Sequence, residues 1–255
     1  MRSSKTLAKL RAGQPVRMCV LGHFIPPYVH FAARAGFDCI WLDLEHKLID
    51  EREVQALLTH FHLADIDCML RPPTVEKTRL YRYLEDGASG LMIPHVSTVA
   101  QAEALVKAVK FPPLGDRGLD GVGFDNRYQM TEPAAYAEAA NRETFLVVQI
   151  ETPEAVNNVE AIAALSGISG LFVGIGDLGL RLGKYKNMPS LDDCIERVAA
   201  AAAQYGKAWG LPVRTAEQLK QYHDQGAQLL AHGSEYGALK GMIDASARNF
   251  DAALG

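Results

Sequence analysis

Apolar residues along this chain fall into short runs separated by longer amphipathic stretches, and the alternation repeats eight times. Runs rich in Val, Ile, Leu and Phe near 16–22, 39–43, 67–71, 90–94, 145–151, 170–176, 208–213 and 228–231 have the length and continuity of strands buried on both faces. Between them, 50–64, 74–85, 98–109, 152–165, 191–205 and 215–225 carry helical spacing. Several of these open on a capping signature, as in Asp50-Glu-Arg-Glu53, Thr98-Val-Ala-Gln101 and Thr215-Ala-Glu-Gln218. Gly36, Gly87, Gly167, Gly206 and Gly226 stand where helices should stop. Eight strand-then-helix units in 255 residues favour an α/β fold of the (β/α)8 TIM-barrel type over an open sheet, with residues 1–255 as a single domain. The basic segment 1–15 lacks the apolar stretch of a signal peptide and reads as a capping helix.

One connection breaks the rhythm. Residues 112–142 carry a Pro-Pro pair, several glycines and a short helical pattern at 132–141. Long structured connections in compact domains are more often functional than ornamental.

Composition narrows the functional classes. The chain is 48% apolar and 22% charged, with a net charge of −4 and no block of like charge, so nothing electrostatic argues for nucleic acid or an anionic membrane. No apolar stretch approaches the ~18 residues of a membrane-spanning helix. Cys19, Cys39, Cys68 and Cys194 have no metal or redox spacing, and the first three fall in strand runs, which points to buried thiols in a reducing cytoplasm.

Barrel enzymes place their chemistry at the C-terminal ends of the strands. There the chain offers Glu151 and Asp177, ending the fifth and sixth runs. Two acids side by side repel unless a cation lies between them, so a divalent metal is the natural third party, although capping of the following helices is the plainer reading of either acid. The second run leads into Asp43-Leu-Glu-His46, the third ends in Arg71 before Pro72-Pro73, and the fourth and eighth lead to His95 and His232. Gln149, two residues before Glu151, shares its strand face. A metal, a guanidinium and an imidazole on one rim make an enolising site. Taken alone, Arg71 is an ordinary rim ion pair and His46 a structural histidine; His95 and His232 are as well explained by structural hydrogen bonds.

The ordered motifs shift that balance. Gly36-Phe-Asp-Cys-Ile-Trp-Leu-Asp-Leu-Glu-His46, Arg71-Pro, Gly87-Ala-Ser-Gly-Leu-Met-Ile-Pro94, Pro112-Pro-Leu-Gly-Asp-Arg-Gly118, Gln149-Ile-Glu-Thr-Pro-Glu-Ala-Val156 and Gly170-Leu-Phe-Val-Gly-Ile-Gly-Asp-Leu178 resemble the HpcH/HpaI class II aldolases in family order over nearly the whole chain. The resemblance implies a metal-dependent aldolase joining or cleaving a 2-oxo acid, as the pyruvate enolate, and an aldehyde. It implies Glu151 and Asp177 as ligands of Mg²⁺ or Mn²⁺, with Co²⁺ a further candidate. Arg71 would contact the pyruvate oxygen. His46 would be the acid/base, acting on or through a metal-bound water and paired with a carboxylate at Glu85 or its neighbour Asp86. Amides near Gly176 and Asp177 would hold the substrate carboxylate, with Gln149 facing the same interior. It also implies a homohexamer of dimers that exchange the last helix, from Tyr236 onward.

The chain departs from that pattern at Leu44, Ile175-Gly176, Gly179 and above all 119–128, where the departure implies a rebuilt acceptor pocket. Two other readings stay open: condensation of an acyl-CoA with oxaloacetate on the same barrel, and an oxo-acid-binding barrel without turnover.

Overall fold

The computed structural model describes residues 1–184 and 188–255. Eight parallel strands close in sequence order into one barrel. They are β1 (Val16–Leu21), β2 (Cys39–Asp43), β3 (Asp67–Arg71), β4 (Gly90–Ile93), β5 (Phe145–Ile150), β6 (Gly170–Val173), β7 (Ala208–Val213) and β8 (Leu229–Ser234).

The near-continuous apolar runs are explained by the two faces each strand must bury. Met18, Trp41, Met69, Met92, Phe145 and Phe172 fill the barrel axis. Their sequence neighbours Cys19, Ile40, Leu70, Leu91, Leu146 and Leu171 pack outward against helices. Large and small residues alternate around the axis: a Cβ on Gly90 would collide with the Phe145 ring, and one on Gly210 with the Leu229 backbone. Trp41 and Phe172 meet edge to face at 5.5 Å.

Helix starts follow the capping signatures. Asp50 and Thr98 form full capping boxes with Glu53 and Gln101, and Thr215 accepts from the Gln218 amide. Three boundaries differ from expectation. The 152–165 stretch is two short helices, Pro153–Asn157 and Val159–Ala163, parted at Asn158, whose side-chain amide donates to the Ser97 carbonyl at 2.8 Å. β8 runs on to Ser234. β6 stops at Val173, and a helix begins at Ile175, so Asp177 occupies a helix's first turn rather than a strand end. The turn occurs at Gly174, where a Cβ would collide with the Glu151 carboxylate.

The N-terminal helix Lys5–Arg11 closes the lower end of the barrel, with Leu7 packed into the axial cluster. The 112–142 connection, containing the 3₁₀ turn Phe124–Asn126 and the helix Pro133–Glu143, packs against this same end. The Phe124 ring lies 4.4 Å from that of His62, and Asn126 accepts from the amino terminus at 3.5 Å. Within one chain this connection therefore does not line the rim where the strands end. The final helix, Glu235–Leu254, buries only Glu235 and exposes Tyr236, Leu239, Met242, Ile243 and Phe250.

Candidate active site

The twofold period of the strands aims Asp43, Arg71, Gln149 and Glu151 into the barrel mouth. Asp43 and Arg71 sit directly opposite each other in register. The Arg71 guanidinium donates from Nε to Asp43 Oδ1 at 3.0 Å and pairs through Nη2 with Oδ2 at 2.9 Å. Its Nη1 reaches Glu45 Oε2 at 2.9 Å and Gln149 Oε1 at 3.4 Å. Beneath it lies the Trp41 ring, 4.6 Å from Cζ. A two-point carboxylate clamp over an aromatic face holds an arginine in one orientation.

Glu45 is the hub that the sequence reading passed over. Its Oε2 also lies 3.5 Å from His46 Nε2, and its Oε1 lies 3.2 Å from His95 Nε2. Asp43 Oδ1 accepts from the backbone amides of Glu45 and His46 at 3.0 and 3.4 Å, so one carboxylate orders both the arginine and the loop that carries the histidine.

His95 bridges two acids. Its Nδ1 lies 3.1 Å from Glu151 Oε2 while Nε2 faces Glu45, and its backbone N–H donates to the same Glu151 oxygen at 3.0 Å. The residue has a left-handed backbone, φ 56°, uncommon outside glycine and asparagine. That conformation aims amide and ring at one carboxylate, a local strain of the kind found at functional sites.

Glu151 is 3% exposed. Burial raises its carboxyl above the usual range, contacts with His95 oppose the shift, and the charges of Glu45 and Asp177 add to it. Gln149 donates from Nε2 to Glu151 Oε1 at 3.0 Å while its carbonyl oxygen faces Arg71, so its amide orientation is set from both sides. Asp177 is held by Arg181, whose Nη1 lies 2.6 Å from Oδ1 and donates to the Glu151 carbonyl at 3.2 Å. Gly176 leaves open space beside it, with nothing within 4 Å of where a Cβ would lie.

The structure thus brings together Asp43, Glu45, His46, Arg71, Gln149 and Glu151, with Asp177 electrostatically coupled at the edge. It does not bring Glu85 to His46 within one chain. Glu85 ends the helix Lys77–Glu85 near the lower end of the barrel, 3.7 Å from the fully buried Arg117. Burial pushes its carboxyl up to about 7, with Arg117 opposing and Asp125 adding to the shift. Its neighbour Asp86 accepts from Gln55 at 2.9 Å, also away from His46. His232 lies 3.1 Å from the Val213 carbonyl, a structural bond. Glu45 and His95 are the functional candidates missed or discounted. The Asp-Leu-Glu-His order held a signal for the first, since Glu45 repeats the parity of Asp43; nothing local marks His95, whose role depends on two other strands.

A closed barrel with a clamped arginine, a bridging imidazole and converging carboxylates at its C-terminal rim is built for proton and carbonyl chemistry on a small polar molecule. Residues 18–240 match the family model for HpcH/HpaI aldolase/citrate lyase, and the chain belongs to this family. It is 32% identical over 231 residues to a hydroxypyruvate/pyruvate aldolase of Pseudomonas aeruginosa, covering 88% of this chain and 84% of the relative. It is 33% identical over 208 residues to a 5-keto-4-deoxy-D-glucarate aldolase of Klebsiella pneumoniae, covering 81% and 80% of the two chains. The crystal structure of an HpcH/HpaI aldolase from Desulfitobacterium hafniense superimposes with a TM-score of 0.90 at 29% identity, over 97% of both chains. The protein is accordingly an aldolase, a carbon–carbon lyase. No helix among the described residues is long and apolar enough to cross a membrane.

Proposed function

We propose that this aldolase is metal-dependent and works on the enolate of a 2-oxo acid, pyruvate foremost, adding it to or releasing it from an aldehyde. The observation that carries the reading is the pairing in one mouth of a clamped, buried Arg71 with a buried carboxylate, Glu151, whose proton affinity is raised. The named activities of the Pseudomonas and Klebsiella relatives support an oxo-acid substrate.

The donor set fits a hard divalent cation. Glu151 and Asp177 supply carboxylate oxygens only, and the Arg181 contact engages one oxygen of Asp177. Among the described residues no three His, Cys, Asp or Glu side chains converge as a protein-only cage. Mg²⁺ and Mn²⁺ are commonly held by one or two carboxylates with substrate and water completing the shell, and Co²⁺ is a further candidate for the same oxygen donors. Glu151 and Asp177 would hold the ion, which when bound polarises a 2-oxo carbonyl as a Lewis acid.

The chain's own groups do the rest. Arg71 donates to the oxygen on which enolate charge develops, in a pocket where burial strengthens that interaction. His46, half-exposed beside Glu45, moves the proton. Gln149 keeps Arg71 and Glu151 in register, and the amides at Gly176 and Asp177, opening a helix, face the substrate carboxylate.

Glu85 completes a dyad with His46 only across copies, where the lower end of one barrel meets the rim of another. The exposed apolar side chains of Glu235–Leu254 support such an assembly. So does a cavity of about 560 Å³ bordered by Phe37, Leu219 and Leu230, in the place where an eighth covering helix would pack. Exchanged C-terminal helices within dimers of a hexamer fill both needs. The four buried free thiols suit a reducing cytoplasm.

Exchange of the pyruvate methyl protons into D₂O, followed by NMR on chelated aliquots, tests the reading. Exchange should require Mg²⁺ or Mn²⁺, stop with EDTA and vanish in Arg71→Ala. Exchange that continues unchanged in EDTA sinks the metal assignment. For the assembly, mixing inactive His46→Ala with inactive Glu85→Gln should restore part of the activity in hybrid oligomers.

A further inference from the structure

Asp177, the second of the two carboxylates assigned to the metal, already has a cation for a partner. It stands in the first turn of the helix Ile175–Leu182, and Arg181 stands in the last, so the macrodipole favours both charges. Their i,i+4 spacing with the acid first is the favourable order for a helical ion pair. Arg181 Nη1 carries two hydrogens. It donates to Asp177 Oδ1 at 2.6 Å and to the backbone carbonyl of Glu151 at 3.2 Å. One guanidinium nitrogen thus ties the helix that carries Asp177 to the end of β5, where Glu151 stands.

The pair adds little to stability, because both side chains are partly exposed, Arg181 by 33% and Asp177 by 41%. Its weight falls on the site instead. Arg71 is engaged by Asp43 and Glu45, whereas Arg181 contacts the two residues assigned to the ion. Neutral or acidic partners that orient a metal ligand raise the affinity of a site. A guanidinium on the ligand carboxylate acts in the opposite sense: it competes for the same negative charge and repels a second cation beside it.

We propose that Arg181, acting through Asp177, is a positioning residue that holds this carboxylate beside Glu151 and keeps the divalent ion of the pair weakly bound and readily exchanged. The proposal rests on the metal reading above. Its mark is a gain: removal of the guanidinium strengthens metal binding, an effect that loss of structure does not produce.

Binding of Mn²⁺, followed through the EPR signal of the free ion, tests it. Arg181→Gln should tighten Mn²⁺ binding about tenfold, the size of a partly screened repulsion at a rim. Arg181→Lys keeps the charge and should stay within about threefold of the wild type. The gap between wild type and Arg181→Gln should narrow as NaCl is raised, because exposed charges are screened. Mn²⁺ affinity that is unchanged or weaker in Arg181→Gln overturns the proposal, and so does an equal gain in Arg181→Lys. Glu151→Gln tests the metal reading separately and should lose the ion. If it binds Mn²⁺ as well as the wild type does, or if the wild type and Arg181→Gln bind none, the metal assignment falls and this proposal with it.

Discussion

The two ends of the barrel are built from the same strands and the same kinds of residue, yet they have opposite electrostatic character. β3 contributes an inward polar residue to each: Asp67 at the bottom and Arg71 at the top. At the bottom the Asp67 carboxylate accepts from Arg2 at 2.5 Å, Ser4 Oγ at 2.7 Å, the Thr6 amide at 2.8 Å and Ser89 Oγ at 3.2 Å. Every donor comes from the N-terminal segment or the start of β4, and the group is wholly enclosed. At the top, Asp43, Glu45, Glu151 and Asp177 share Arg71, His95 and Arg181, and one of the acids is pushed toward protonation. A fully satisfied buried network stabilises a fold. A negative, incompletely compensated one facing an opening is poised to take a cation or a reacting group.

The largest separation of the two ends should come from their acids. Glu151→Gln should cut turnover by about a thousandfold or more while leaving the thermal midpoint nearly unchanged. Asp67→Ala should do the reverse, lowering unfolding free energy by about 3–5 kcal/mol, the usual cost of stripping one partner from a buried pair, with kcat of the folded enzyme retained. Denaturant titration beside steady-state kinetics reads both, and a Glu151→Gln protein that melts far lower would make the rim structural as well. Arg71→Ala should slow pyruvate proton exchange by about 10²–10³-fold, the range for removing one oxyanion donor. Gly174→Ala should cost roughly a hundredfold in kcat, because a new methyl displaces the Glu151 carboxylate by about an ångström.

A subtler contrast concerns pH. Glu85, near the bottom, holds its proton up to about 7 against an ordinary 4.5. The native state then binds that proton more tightly than the unfolded chain does. Its stabilising contribution is full below about 4.5 and is lost as pH rises through about 7. Glu85→Gln should flatten the fall in stability between pH 5 and pH 8, as measured by denaturant midpoints. A profile that keeps its slope in the variant would assign the titration elsewhere, Asp125 being the next group raised by burial.

Periodicity and motif order carried the eight strands, the capped helices and the rim positions of Arg71, Gln149 and Glu151, because each depends on residues a few places apart. A strand's period of two decides which side chains face the axis whatever the neighbouring strands are. The same reasoning placed Asp177 on a strand end, and it missed because the chain turns at Gly174 to clear Glu151, a contact with another strand. The 112–142 connection lies against the lower end of its own barrel, because its Phe124 and Asp125 find His62, Tyr136 and Arg117 there. Glu45 as hub and His95 as bridge are likewise pairings across large separations in the chain. Local sequence specifies torsions, caps and faces. The partners of a charged side chain are specified by which strand ends the closure of the barrel brings within hydrogen-bonding distance.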